Sequence, residues 1–130
     1  MNVALPHPNL KLRLWTVPLC PSWNDRYHLG GQRPVIKQAV RDWEEDAYAR
    51  LIEQGWETPA FTLWVLLAKA YMPVSRDLDK VIPTLADLLK RPQLVGSDDR
   101  YLMDVMAEKF PTRDRTLHRI EFGLTEYVSG

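Results

Sequence analysis

Alternation of hydrophobic and polar side chains marks three segments of the chain, residues 10–17, 100–110 and 116–126. Because successive side chains of a strand point to opposite faces, this period of two predicts strands with one buried face. A fourth segment, residues 60–72, is almost entirely apolar, which is typical of a central strand buried on both faces and also of a buried helix. Its aromatic and β-branched residues, with Pro73 after it, favour the strand.

A period near 3.6 residues replaces the alternation between residues 35 and 54. The hydrophobic stripe of this segment consists of Ile36, Val40, Trp43, Ala47 and Leu51. Charged side chains occupy the other face, so we predict an amphipathic helix of about 20 residues with Gly55 as its C′ residue. A second helix is predicted at 81–90, and Pro83 falls in its first turn, where amides have no helical acceptor to lose.

The segments between these elements contain many glycine, proline and polar residues, which predicts loops. Residues 22–31 form the first loop, and residues 111–115 form a basic loop of hairpin type between the last two strands. The resulting order, β-α-β-α-β-β, predicts a single α+β domain over residues 1–130, with two helices packed on a mixed sheet of about four strands. Residues 1–9 are a candidate flexible segment at its start.

The charge balance excludes attraction of nucleic acid by an overall positive charge of the chain. The chain carries 17 basic and 17 acidic residues and has no net charge, so any contact with phosphate must come from a local cluster of Lys and Arg. The single cysteine, Cys20, excludes an intrachain disulfide and a cysteine zinc site. No apolar run reaches the length of a membrane span, and residues 1–10 lack the pattern of a signal peptide. These features fit a protein of a reducing cytoplasm.

A pair of acidic residues follows the apolar strand. Asp77 and Asp79 are two residues apart, and on extended backbone their Cα atoms lie about 6.5 Å apart on the same side. At about 5 Å and an effective dielectric near 20, two ionised carboxylates repel by about 3 kcal/mol. Such a cluster persists where one group is protonated, where basic residues neutralise it, or where a hard divalent cation binds.

A second acidic pair, Asp98 and Asp99, precedes the strand predicted at 100–110. If the end of the apolar strand lies beside the start of that strand, Asp99 joins Asp77 and Asp79. The three carboxylates would then form a set of oxygen ligands suited to Mg²⁺ or Mn²⁺.

The first acidic pair also has a structural interpretation. In it, Asp79 is a helix N-cap and Asp77 is an exposed charge. The basic neighbours Arg76 and Lys80 then form surface ion pairs with them, which contribute little to stability. A two-residue acidic motif by itself does not decide between this interpretation and a metal site.

Several short motifs in this chain match one known family in both residue type and spacing. They are Asn24-Asp25-Arg26-Tyr27, Arg76-Asp77-Leu78-Asp79 with Asp87 in the helix that follows, Gly96 with Asp98-Asp99, Lys109, and Thr125-Glu126. On these residues the chain resembles the RusA family of crossover-junction (Holliday-junction) endonucleases, from about residue 21 to residue 127. The spacing between the two acidic pairs, and from the second pair to Lys109, makes the resemblance more specific than either motif alone.

The resemblance implies a RusA-like fold of mixed α/β type, a homodimer, and Mg²⁺- or Mn²⁺-dependent cleavage of DNA four-way junctions by paired nicks in recombination and repair. It implies Asp77, Asp79 and Asp99 as metal ligands and catalytic residues, and Arg76 as a residue that faces phosphate. It also implies a location in the cytoplasm of a bacterium or a phage-infected cell. A homodimer suits the reaction, because a two-fold axis relates two sites as two opposed cuts require.

Further DNA contacts are expected from clusters of basic and aromatic residues. The candidates are Arg26 and Tyr27 in the first loop, Lys109 near the end of its strand, and Arg113 and Arg115 in the basic loop. At each arginine, a solvated surface position is the alternative to a phosphate contact.

Two positions depart from the family pattern. Where the family commonly has asparagine after the acidic motif, this chain has Lys80, and where the family has a catalytic lysine, this chain has Pro83. Since the two positions are one helical turn apart, we hypothesise that Lys80 is a catalytic residue that supplies the missing ammonium group. The alternatives are a junction-binding protein of the same fold with weak or lost catalysis, and an interaction domain that does not bind DNA.

Overall fold

The structure, a computed structural model of the chain, describes residues 12–21, 27–30, 33–36, 38–60, 62–96 and 101–128, with the backbone alone for 27–30 and 33–36. The candidate flexible segment at residues 1–9 lies outside the described residues. In chain order the elements are β1 (Trp15–Pro18), β2 (Tyr27–Gly30), β3 (Arg33–Ile36), α1 (Gln38–Glu53), β4 (Trp64–Met72), α2 (Leu78–Leu89), β5 (Leu102–Pro111) and β6 (Arg119–Glu126).

Four of the strands form a mixed sheet in the order β1-β6-β4-β5. β4 runs parallel to β5 and antiparallel to β6, and β1 is antiparallel to β6. β2 and β3 pair with each other in a separate antiparallel hairpin. The predicted α+β fold, with two helices and a mixed sheet of four strands, is therefore confirmed.

The hairpin corrects two predictions, a loop over residues 22–31 and a helix that begins at residue 35. Tyr27–Gly30 pairs with Arg33–Ile36, so Ile36 belongs to β3 and α1 begins at Gln38. Ile36 continues the helical spacing of the apolar stripe, but a single apolar residue at that spacing does not make the backbone helical. The β-branched side chains of Val35 and Ile36 suit a strand.

Both helices and the sheet contribute to one hydrophobic core. On α1, the predicted stripe is buried at Val40, Trp43, Ala47 and Leu51. The residues of β4 in the core are Trp64, Leu66, Ala68, Ala70 and Met72. Leu67, between them on the other face of the strand, is also buried. The apolar run is an interior strand, as predicted, although it begins at Trp64 rather than at residue 60. Only one of its faces is buried throughout, because on the other face Leu67 is buried but Lys69 is exposed.

α1 ends as its sequence predicts. Gly55 has a φ of +82°, its N–H donates to the carbonyl of Ile52, and the N–H of Trp56 donates to the carbonyl of Leu51. These two bonds form a Schellman motif with glycine at C′. In the described ranges, neither helix is long and apolar enough to cross a lipid bilayer.

The side chain of Gln54 pairs with the outer edge of β1, which is the first strand of the sheet. Its Oε1 accepts a hydrogen bond from the N–H of Thr16 at 2.9 Å, and its Nε2 donates to the carbonyl of Thr16 at 2.7 Å. An edge strand exposes unpaired backbone groups, and here a side-chain amide satisfies them as a neighbouring strand would.

Replacing Gln54 by alanine is expected to lower the free energy of unfolding by about 1–2 kcal/mol, because both bonds to Thr16 are lost. The shift of the urea midpoint at an unchanged m value measures the loss. Gln38→Ala is the matched control, since Gln38 is exposed and its side chain bonds Asp42 on the same helix; its effect should stay below about 0.5 kcal/mol. Equal midpoints for the two variants would contradict the role of Gln54.

The structure places Pro83 in the second turn of a helix that begins at Leu78, not in the first turn of a helix that begins at residue 81. The earlier start follows from Asp77, whose extended backbone serves as the N-cap. Pro83 therefore lies where an N–H would donate to the carbonyl of Asp79, and proline has no N–H.

The connection between β5 and β6 is not a hairpin. β4 lies between these strands, so residues 112–118 cross the end of β4. The N–H of Thr112 donates to the carbonyl of Met72 at 2.9 Å, and a 3-10 helix, Arg115–Leu117, precedes β6. The basic loop is thereby placed over the strand that leads into the acidic residues.

Candidate functional site

β4 and β5 end together because they run parallel, and Met72 pairs with Pro111. β1 ends at the same side of the sheet. The turn at residues 73–76, the start of α2 and the connection 112–118 follow these strand ends. Ligands of sheets with parallel strands bind outside the carboxyl ends of those strands. We refer to this region as the strand-end site.

The two acidic residues predicted as ligands stand at the start of α2. Asp77 is the N-cap residue (φ −84°, ψ 127°), but its side chain makes no capping hydrogen bond. Asp79 lies in the first turn, and both residues are exposed. Within the part of the chain that the structure describes, neither carboxylate has a hydrogen bond or an ion pair. As far as these residues go, their oxygens are free to bind a cation.

The structural interpretation of this pair expects Asp77 to be an exposed charge, and it is, but the cap and the ion pairs of that interpretation differ from the structure. The N-cap residue is Asp77 and not Asp79. The expected ion pairs with Arg76 and Lys80 do not form among the described residues. An aspartate at an N-cap ordinarily accepts a bond from the first turn, so this helix begins without a stabilising contact that its sequence would allow.

Lys80 lies in the same first turn and is half-buried. Its backbone N–H donates to the carbonyl of Asp77 at 3.2 Å. Lys80 and Pro83 both belong to α2, so the premise that one helical turn separates them holds.

Arg76 connects the turn at 73–76 to the residues that follow β1. Its Nη2 donates to the carbonyl oxygen of Cys20 at 2.6 Å, and its backbone N–H donates to the carbonyl of Pro73 at 3.2 Å. A guanidinium carries several donors. The bond to Cys20 therefore holds the side chain in place and leaves other N–H groups for the predicted phosphate contact.

Cys20 is buried next to this contact. Its Sγ donates to the carbonyl oxygen of Val81 at 3.5 Å. Burial raises the pKa of the Cys20 thiol to about 12, and the Arg76 guanidinium opposes the rise. With this pKa the thiol is protonated at neutral pH, so Cys20 lacks the thiolate that makes a cysteine reactive.

Lys109 holds the other side of the same turn. Its Nζ donates to the carbonyl oxygens of Val74, at 2.7 Å, and of Arg76, at 2.5 Å. The ammonium group predicted to contact DNA is thus bound to the backbone that leads into Asp77.

The connection 112–118 carries the two arginines predicted to bind DNA, Arg113 and Arg115, and both are exposed. The Asp114 carboxylate accepts hydrogen bonds from the hydroxyl and the N–H of Thr116, at 2.6 and 2.9 Å. These bonds, the hydroxyl first, hold the pKa of Asp114 below its usual value. The connection therefore has local bonds that order it, and it presents its arginines at the same end of the sheet as the acidic pair.

Two predicted site residues, Arg26 and Asp99, lie outside the described residues, as does Asp98 beside Asp99. Of Tyr27 the structure describes the backbone, as the first residue of β2. The roles predicted for Arg26, Tyr27 and Asp99 remain predictions.

The strand order overturns the premise that was to bring Asp99 to the other two aspartates. That premise placed the start of the following strand beside the end of β4. β5 begins instead with Leu102 paired to Trp64, at the start of β4. From Trp64 to Met72 the strand is about 26 Å long. The next strand therefore begins at the opposite end of the sheet from Asp77.

The described residues alone do not make a complete metal site. Within these ranges, no group of three or more His, Cys, Asp or Glu side chains is placed to hold a metal ion. Asp77 and Asp79 supply two carboxylates of the kind that Mg²⁺ and Mn²⁺ prefer. Two carboxylates fit part of the ligand set of such an ion, which usually keeps several water molecules as well.

Sequence reasoning missed the bonds that Arg76 and Lys109 make to the backbone. Their acceptors are main-chain carbonyls, which no side-chain pattern marks. The parallel pairing of β4 and β5 could have been predicted from the sequence, because a helix that connects two strands of one sheet favours a parallel arrangement.

No protein-family model matches the chain, and no curated protein matches it. The likeness to the RusA family therefore rests on the motifs themselves.

Proposed function

We propose that this protein is a divalent-metal-dependent endonuclease that cleaves branched DNA, with four-way (Holliday) junctions as its substrate. The observation that supports this most is the exposed, uncapped carboxylate pair, Asp77 and Asp79, at the carboxyl ends of parallel strands. Arg113 and Arg115 at the same end offer the local positive charge that a chain of zero net charge otherwise lacks.

Asp77 and Asp79 would hold Mg²⁺ or Mn²⁺ through their carboxylate oxygens. When bound, such a cation would supply Lewis-acid chemistry, activating a water molecule and stabilising the negative charge on the leaving oxygen. The chain's own contribution is positional: the start of α2 exposes both carboxylates, and the 112–118 connection presents arginines to the phosphates around the cut.

The proposed site is shared between two copies of the chain. Asp99 precedes a strand that starts at the far end of the sheet from Asp77. In a two-fold dimer whose β5 strands run antiparallel, the start of one β5 approaches the end of the other. The partner's Asp99 then adds a third carboxylate to Asp77 and Asp79. The same axis gives two sites, one for each of two opposed cuts.

A Lys80→Ala variant tests the proposed catalytic ammonium. Because Lys80 stands one turn before Pro83 on α2, we expect the variant to cleave junctions about 10²-fold more slowly with Mg²⁺ present and to bind them with little change. Single-turnover cleavage on a labelled junction measures the rate. Cleavage at the wild-type rate would reject a role for Lys80.

A second function, junction binding without cleavage, is favoured by one observation. Pro83 occupies the position of the family's lysine inside α2 and carries no ammonium group. Gel-based nicking of a mobile four-way junction, with Mg²⁺ or Mn²⁺ and with a chelator as the control, separates the two functions. Metal-dependent paired nicks support the endonuclease, whereas a retarded but uncut junction supports the binding protein. A protein that binds the junction no better than duplex DNA at moderate salt supports neither.

A further inference from the structure

Lys109 ties the turn between β4 and α2 to β5. Lys109 lies near the end of β5, and its Nζ donates to the carbonyls of Val74 and Arg76. These carbonyls belong to the residues that connect Met72, the last residue of β4, to Asp77, the N-cap of α2.

The position of the acidic pair depends on this turn. Asp77 has no side-chain bond to its own helix, so the direction of its carboxylate is set by the backbone before it. That backbone has a bond within the turn, from the Arg76 N–H to the carbonyl of Pro73, and a bond from the Arg76 side chain to Cys20. Lys109 is the described contact that ties the turn to β5.

We propose that Lys109 is a positioning residue, which fixes the direction of Asp77 and Asp79 through the turn, and that it is not a contact to DNA phosphate. The expected effect on cleavage rests on the proposed nuclease function, whereas the role of Lys109 in holding the turn does not. Two short bonds to carbonyl oxygens use two of the three N–H donors of the ammonium and hold the group against the turn, so those two donors reach a phosphate only if the bonds break.

The test compares Lys109→Met with Arg113→Met, a variant with the same change in charge at an exposed position of the neighbouring connection. Hydrogen exchange is measured at residues 74–80 and, as a reference, on β4 and β6. Junction affinity is measured from low to high salt, and cleavage is measured at saturating DNA. Lys109→Arg, which keeps a cationic donor, is the conservative variant.

Lys109→Met is expected to speed exchange at residues 74–80 by about tenfold or more, with little change on β4 and β6. It should lower the cleavage rate at saturating junction by about 10²-fold, leave KM unchanged, and leave the salt dependence of binding as in the wild type. Arg113→Met should instead reduce the slope of log K against log salt by about one and leave exchange at residues 74–80 unchanged. Lys109→Arg should restore slow exchange.

Two results would overturn the proposal. One is a reduced salt slope for Lys109→Met with unchanged exchange at residues 74–80, which would make Lys109 a phosphate contact. The other is faster exchange over the whole sheet, which would make it a general stability residue. If the wild-type protein neither binds nor cleaves a junction, the proposed function fails, while the exchange measurement still decides whether Lys109 holds the turn.

Discussion

Asp79→Asn is expected to abolish junction cleavage, with a loss of at least about 10³-fold, and to leave junction binding equal or tighter. The substitution keeps the size of the side chain but removes the charge that would bind the cation, and several kcal/mol of transition-state stabilisation correspond to a loss of about this size. Binding should not weaken, because a negative charge near phosphate has been removed. Single-turnover cleavage and gel retardation of the same junction measure the two effects.

Asp46→Asn serves as the control for this variant. Asp46 is an exposed residue on α1 that pairs with Arg50, and it is remote in sequence from the strand-end site. It should cleave at the wild-type rate. If Asp79→Asn loses junction binding together with cleavage while Asp46→Asn does not, the role of Asp79 is structural and the metal site is wrong.

A dimer assembled from two inactive chains is expected to recover cleavage. One chain carries Asp79→Asn and the other Asp99→Asn, each with its own affinity tag, and the mixed dimer is purified through both tags. If the partner's Asp99 completes each site, one site of the mixed dimer carries both substitutions and the other carries neither. The mixed dimer then has about half the wild-type number of sites. It should introduce single nicks into junctions from which each pure variant releases no product.

The matching control combines Asp77→Asn with Asp79→Asn. These residues come from the same half of the proposed site, so both sites of this mixed dimer remain damaged and no recovery is expected. If the mixed dimer of Asp79→Asn and Asp99→Asn also fails to nick the junction, the three carboxylates do not come from two chains. A protein that is monomeric at assay concentrations would contradict the shared site directly.

Local patterns predicted the helix that faces the core and its end. Val40, Trp43, Ala47 and Leu51 recur at the helical period, and Gly55 permits the left-handed backbone of the C′ position. Both signals act over a few residues, so sequence alone reveals them. The sequence of the short hairpin of β2 and β3 lacks a clear alternation and predicts a loop followed by a helix, which is wrong.

Strand order depends on contacts between distant residues, and here sequence reasoning was weaker. Alternation marks both faces of β5 and β6 but does not say which strands they pair with. The short basic segment between them suggested a hairpin, whereas β4 lies between the two strands. The same limit applies to the site: Asp77 and Asp79 are neighbours in the chain, while the place of Asp99 depends on the direction of β5 relative to β4.

The strand that completes the sheet is the last to be synthesised. β6 lies between β1 and β4, so β1 has no neighbouring strand in the sheet until residues 119–122 have left the ribosome. A nascent chain that stops before residue 119 can pair β4 with β5 but leaves β1 without a partner strand, held by contacts such as those of Gln54, the residue after α1. Folding of this domain should therefore be late in translation and slow for its size, because its central contacts join residues far apart in the chain.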